Sequence, residues 1–350
     1  MTRLQRLMLA GVAVATTLAG VLRYAVDPGV GPFAAAAIAL AGLAWLVAFG
    51  TEQVGARFGP SATGFLQSTL GNLPEFFIVV FALSAGETVV AQTSLIGSLF
   101  ANALLVLGAV IVVGARTAEG GVMRFANRLP MDTATLLLVS VFIIAVTGLS
   151  VGSSDKASRH IETIDAVAAV AILVVYATWS WSYLRREEQP AGEESHGPAL
   201  ALPVALGLLA LGGVGSAFVS DWFIHALDPA IESLGISKAF AGLVIVAIAG
   251  NAVENFAGLV FARKGNFDLA ISIVKNSVAQ IAAFLFPALV LVSLLFAHTL
   301  TFSLAPVYIG ALFITAISVW QITGDGEALE YEGWALIALY VILATFALYE

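Results

Sequence analysis

Eleven mostly apolar stretches, each long enough for a helix to cross a bilayer, run through this chain. They lie at about 7–24, 33–50, 61–84, 88–114, 132–150, 162–184, 200–220, 237–262, 269–297, 303–320 and 333–349. A helix needs roughly 17–25 such residues to span ~30 Å of hydrocarbon. Backbone in hydrocarbon must satisfy its own N–H and C=O groups, which leaves helices or a closed barrel. The alternating ~10-residue strands of a barrel are not seen. The expectation is therefore an all-α membrane protein with eleven transmembrane helices. Composition agrees: 60% of residues are apolar and 11% charged, against about 25% charged in soluble domains. That excludes a soluble globular enzyme and a disordered chain. The net charge of −8 leaves no basic face for nucleic acid. There is no cysteine, hence no disulfide, zinc thiolate or thiol catalysis. His160, His196, His225 and His298 show no metal-ligand spacing and are each expected in a loop or at a helix end.

Polar breaks at Arg116–Arg128, Gly152–His160, Arg185–Pro198 and Thr323–Glu332 separate the runs. Lys/Arg bias sets orientation. With the N-terminus inside, the cytoplasmic segments hold Arg3, Arg6, Arg57, Arg116, Arg124, Arg128, Arg185, Arg186, Arg263 and Lys264. The outer segments hold only Arg23, Lys156, Arg159 and Lys238. The C-terminus is then outside. Arg3 and Arg6 before an apolar run resemble a signal peptide, but no small-x-small site leads into a soluble domain, so the run reads as a helix. Residues 1–30 form an N-terminal helix, 31–184 and 200–350 two five-helix blocks, and 185–199 an acidic, solvated cytoplasmic linker (RREEQPAGEESH within it).

The two blocks share a motif. Gly71-Asn72-Leu73-Pro74-Glu75 and Gly250-Asn251-Ala252-Val253-Glu254 both read G-N-x-x-E, each in the second span of its block. Five is odd, so the second copy inserts in the opposite orientation. This is the inverted repeat of many secondary transporters. A carboxylate in hydrocarbon costs at least a few kcal/mol, too much to retain two of them for packing. A low-dielectric site and a like charge both favour the neutral carboxyl. Glu75 and Glu254 can thus hold either two protons or one hard cation, and calcium takes oxygen ligands. That competition is the basis of antiport. Gly71 with Pro74, and Gly250, loosen the helix before each Glu, freeing carbonyls where they line a cavity. Asn72 and Asn251 stand at i−3 from their glutamates, on the same face, as does Ser68 two turns before Glu75. Ser94, Ser98 and Asn102, and Ser272, Asn276 and Gln280, recur every four residues as polar stripes. Such stripes line a permeation path or bond between helices.

These motifs resemble the calcium/proton exchangers of the calcium:cation antiporter superfamily, over essentially all of residues 33–349. The resemblance is carried first by Thr51-Glu52-Gln53, Gly64 through Glu75, and Ser94 through Asn102 with the run to Gly108. It is carried next by Gly250 through Glu254, Ala262-Arg263-Lys264, Asp268-Leu269-Ala270, Ser277, Gln280 and Pro287. It implies eleven helices, the two repeat glutamates as cation ligands and proton carriers, and alternating access by sliding of the first two helices of the repeat bundle. Residues 187–194 resemble the family's acidic connector. Three positions depart from its pattern: Asn255 stands where His is common, Asn276 where Gly is common, and Lys275 is a cation beside it.

The expected function is a secondary active antiporter exchanging cytoplasmic Ca2+ for protons at Glu75 and Glu254. Ser68, Asn72, Asn251, Asn255, Ser98, Asn102, Asn276, Ser277 and Gln280 line the path or support it. Glu52 and Asp221 are candidate modulators near the span ends. Lys275 either snorkels to the cytoplasmic interface or pairs with a site carboxylate, which would favour a Na+/proton antiporter on the same fold. A passive cation channel and an intramembrane enzyme are the distant alternatives; no G-x-S-x-G, D-D-x-x-D or H-E-x-x-H occurs. No cofactor is expected. The partners are inorganic cations, protons and the lipid bilayer, and the sequence leaves the oligomeric state open. The Ala-rich, short-loop chain suggests a prokaryotic plasma membrane.

Overall fold

The computed structural model describes residues 3–55, 57, 70–126, 128–186 and 200–350; the side chains of 55, 128–131, 183–186 and 252–255 lie outside that description. The helices are α1 (Arg3–Ala25), α2 (Val30–Gly55), α3 (Leu73–Ser84), α4 (Thr88–Thr117), α5 (Arg128–Gly152) and α6 (Ile161–Arg186). They continue with α7 (Leu202–Leu234), α8 (Lys238–Gly250), α9 (Ala252–Arg263), α10 (Phe267–Ser293), α11 (Pro306–Thr323) and α12 (Glu330–Leu348). Among the described residues nine helices are long and apolar enough to cross a membrane. Two shorter apolar helices, Leu73–Ser84 and Lys238–Gly250, fall within the expected runs 61–84 and 237–262.

The chain divides into two compact units. The first holds Met1–Ala85, Ala177–Ile236 and Ala249–Val253. Its centre is α2 packed along α7, with α1 against α2 and α3 against α7. Lipid tails are as apolar as leucine, so helices in a bilayer associate through close packing of small residues. The Ala-rich start of α2 supplies these: Ala35, Ala36, Ala39 and Ala44 are buried. The Phe33 and Phe223 rings meet at 4.6 Å.

The second unit holds Gly86–Tyr176, Ser237–Ile248 and Glu254–Glu350. Here α4 packs on α8 and on α12, and α5 on α10 and α11. Gly97 lies so close to α8 that an added Cβ would sit 2.5 Å from the Leu243 backbone, and one on Gly242 would sit 2.0 Å from Thr93 Oγ1. Glu87 and Lys238, at the starts of α4 and α8, form an ion pair at 2.7 Å.

Among the described residues, three π-helical turns interrupt this unit: Ala101–Val106 in α4, Ala241–Val246 in α8 and Ile281–Leu285 in α10. Such turns are rare and concentrate at functional sites. The shift of 179 residues that carries Gly71-Asn72 onto Gly250-Asn251 carries Ser98 onto Ser277. It also brings the π turn of α4 within one residue of that of α10.

Three expectations are corrected. The chain is not purely helical: Val122–Arg124 and Glu327–Leu329 form an antiparallel two-stranded ribbon. Each strand comes from a polar break, and the pairing buries Met123 and Ala328. The run 237–262 is two helices broken at Asn251. Finally, α7 extends to Leu234, so Asp221 and His225 lie within a helix rather than at its end.

The packing of α4 on α8 yields a test. Gly97→Ala forces a Cβ into backbone and should cost about 1–3 kcal/mol. Gly207→Ala, with nothing within 4 Å, should leave stability within about 0.5 kcal/mol. Thermal melting of the detergent-purified variants measures both.

Candidate ion-binding site

Both G-N-x-x-E segments sit where a helix starts anew. Asn72 caps α3, Pro74 occupies its first turn and Glu75 follows as the third helical residue. Proline suits this place because its missing N–H would be unsatisfied there anyway. In the second copy, α9 begins at Ala252, which makes Glu254 the third residue of its helix too. A helix start presents free N–H groups and the positive end of the helix dipole, which favours a carboxylate in an otherwise apolar setting.

In the first unit Glu75 is 4% exposed. Its Oε1 accepts a hydrogen bond from Asn251 Nδ2 at 2.5 Å. The side chain lies flat against Gly250, where an added Cβ would be 2.7 Å from Glu75 Cγ and 3.0 Å from Oε1. Asn72 and Asn251 are buried as well. The glutamate of the first copy is therefore held by the Gly-Asn of the second. Asn251 stands at the helix break and reaches the glutamate of the other copy. Gly250 loosens its helix as expected, and its bare backbone also makes room for Glu75.

In the second unit Ser98, Asn102, Ser277 and Gln280 are buried. Asn102 opens the π turn of α4 and donates through Nδ2 to Ser98 O at 2.9 Å. Ser94 donates to Ala91 O at 3.0 Å. These members of the stripe bond within their own helix. Gln280 stands directly before the π turn of α10. Asn276 Oδ1 is buried with no hydrogen-bond partner among the described residues.

Lys275 does not follow the first of its two expected courses, and its pairing with Glu254 falls outside the described residues. It is 0% exposed, so it does not snorkel. Among the described residues no carboxylate pairs with it. Its Nζ donates to Thr323 Oγ1 of α11 at 3.0 Å, a hydroxyl close enough to hold the stem inside the protein.

Ser68 and the side chains of Glu254 and Asn255 lie outside the described residues, so the spacing of the glutamate pair is not part of this geometry. Glu52 and Asp221 are exposed, on α2 and α7. Among the described residues, no group of three or more His, Cys, Asp or Glu side chains could hold a metal ion. A hard cation here would draw on carboxylate, amide and backbone oxygens. Sequence reasoning missed Asp165. It is 1% exposed in α6 and its Oδ2 accepts from Phe302 N at 3.0 Å; Oδ1 is buried with no partner among the described residues. An acidic residue just inside the run 162–184 was the available signal.

Comparison with known proteins fits this architecture. The chain is 30% identical over 334 residues to a Ca(2+)/H(+) antiporter of Synechocystis sp., covering 89% of each chain. It is 30% identical over 315 residues to a vacuolar calcium ion transporter of Schizosaccharomyces pombe, covering 87% of this chain and 76% of that one. The solved structure of native YfkE matches with a TM-score of 0.82 and 26% identity, over 98% of this chain and 100% of the other. The sodium/calcium exchanger protein family matches residues 29–182 and again 204–349. Matched in both halves by that family, this many-helix membrane protein belongs to the sodium/calcium exchanger protein family.

Proposed function

We propose that this chain is a secondary active antiporter that exchanges cytoplasmic Ca2+ for protons at a shared site formed by Glu75 and Glu254. One observation carries the reading: a buried glutamate of the first copy held at 2.5 Å by the asparagine of the second. A buried carboxylate with an amide donor and bare backbone beside it offers hard oxygen to a cation or takes a proton in its absence. The relatives named as Ca2+/H+ antiporters support calcium as the cargo, and the paired family matches support an internal repeat.

On this reading the chain makes eleven crossings, one N-terminal helix and two inverted five-helix repeats, with the N-terminus in the cytoplasm and the C-terminus outside. The third crossing includes α3, and the eighth is α8 with α9. The helices that open the repeats, α2 and α7, pack along each other in one unit, and they form the bundle that slides in alternating access. Ser98, Asn102, Asn276, Ser277 and Gln280 line the path, with cation binding left to the carboxylates. On this reading the host membrane is a prokaryotic plasma membrane.

Uptake into proteoliposomes driven by a pH gradient tests the proposal. Calcium uptake should be present in the intact chain and fall to background in Glu75→Gln and in Glu254→Gln. Sodium uptake without calcium uptake would keep the site and give the function to a monovalent exchanger. No flux of either ion in folded protein would overturn the reading. Removing the amide that holds Glu75, as Asn251→Ala, should raise the calcium KM about 10–100-fold, the usual effect of losing a ligand's supporting partner. Protons and calcium compete for the same oxygens, so the calcium KM should rise as pH falls on the loading side. A KM independent of pH between about 6 and 8 would show that they do not share a site.

A further inference from the structure

Lys275 is a buried charge-bearing residue that two-carboxylate exchange leaves unused. It is fully buried in α10, where its amine donates to Thr323 Oγ1 of α11 at 3.0 Å. That hydroxyl donates onward to Val319 O, which turns its oxygen lone pairs to the amine. On the α5 side, Thr133 Oγ1 donates to the Lys275 carbonyl at 3.3 Å. Packed on α10 are α5, which carries Asp132, α4, which carries Arg116, and the ribbon, which carries Arg124. Arg116 is paired with Glu330 at 2.6 Å and Arg124 with Glu327 at 3.1 Å. Asp268, on α10 itself, accepts from Ala126 N at 2.7 Å, and Asp325, just past α11, accepts from Glu327 N at 3.1 Å. Among the described residues, none of these carboxylates forms an ion pair with Lys275.

A lysine ammonium carries three donors and, out of water, calls for a counter-charge. A single hydroxyl serves an amine better than an ammonium. The shift that relates the two copies places Ile96 of α4 at the equivalent position, also 0% exposed. An aliphatic chain therefore satisfies packing at this place in the first copy. What the second copy gains from lysine is a group that can take up and release a proton. Ionisable residues inside a membrane mark proton and ion pathways.

We propose that Lys275 is an additional proton-binding site of the exchange cycle, loaded and emptied together with the two glutamates. The idea rests on the exchange proposed above. The ligand is a proton: the amine lone pair takes it to give the ammonium and later returns it, and no other bond forms or breaks. Each calcium ion then exchanges for one proton more than the glutamate pair carries, so the cycle moves net charge.

The test compares the intact chain with Lys275→Ile, the residue of the other copy, in proteoliposomes clamped at zero voltage. A fixed calcium gradient is imposed and the proton gradient that stops net calcium flux is read. Going from three protons to two per calcium raises that gradient about 1.5-fold, since the two free energies must balance. An unchanged zero-flux gradient in a variant that still transports overturns the Lys275 site and leaves glutamate exchange standing. Absence of gradient-driven flux in the intact chain overturns the exchange, and the Lys275 site with it. Should Lys275→Ile fail to fold, the intact protein decides by proton release on calcium binding in weakly buffered detergent. One proton beyond the two of the glutamates supports the site, and two alone overturns it.

Discussion

Glu75 is a carboxyl group that must be kept inside a protein with almost no water-like surroundings, and much of the fold near it follows from that need. It is satisfied by an amide from far along the chain, Asn251, on a stretch of backbone with no side chain, Gly250. Both conditions require a helix to stop. The second copy stops at Asn251, and the first starts α3 at Leu73 after Asn72. Broken helices in a bilayer leave N–H and C=O groups that need partners, and here those groups lie beside the carboxyl. The penalty of interrupting a transmembrane helix and the penalty of burying a carboxyl thus offset one another.

The π turns of α4, α8 and α10 extend the same logic. Two of them hold or adjoin a polar residue: Asn102 lies in the first, and Gln280 stands just before the third; the second is followed by one helical turn and then Asn251. Around them the helices approach closely through glycine. At Gly97 and Gly242 any side chain would meet its neighbour at 2.5 Å or less, which makes the α4–α8 contact a rigid frame for the turns it carries. Packing of small residues rather than burial of large ones holds the frame, in keeping with a chain that has lipid as its outer solvent.

Much of this was legible in the sequence. Hydrocarbon thickness sets a length scale that apolar runs must meet, so α1, α2, α4, α5, α6, α10, α11 and α12 could be placed within a few residues. The repeated G-N-x-x-E located the buried carboxyl because few other reasons place Glu in such a run. Less legible was everything that depends on pairing distant segments. The ribbon needs two polar breaks to meet, and three-residue strands have no periodicity to detect. The attachment of Asn251 to Glu75 is a tertiary contact that no local pattern encodes. Lys275 could be read only as a helix position about a turn and a half from the span end. Its burial depends on Thr323 arriving from α11, which no local pattern encodes. Asp165 was missed for the same reason, since its partner is the Phe302 amide.

The central claim is that the two repeat glutamates share one cation. Diffraction from crystals soaked in a heavier divalent analogue of calcium, read in an anomalous difference map, addresses it most directly. The account predicts a single mid-membrane peak bonded by carboxylate oxygens of both Glu75 and Glu254, at the roughly 2.3–2.6 Å expected of calcium-like coordination. A peak bound by one glutamate alone, or a bound ion away from both, would contradict it.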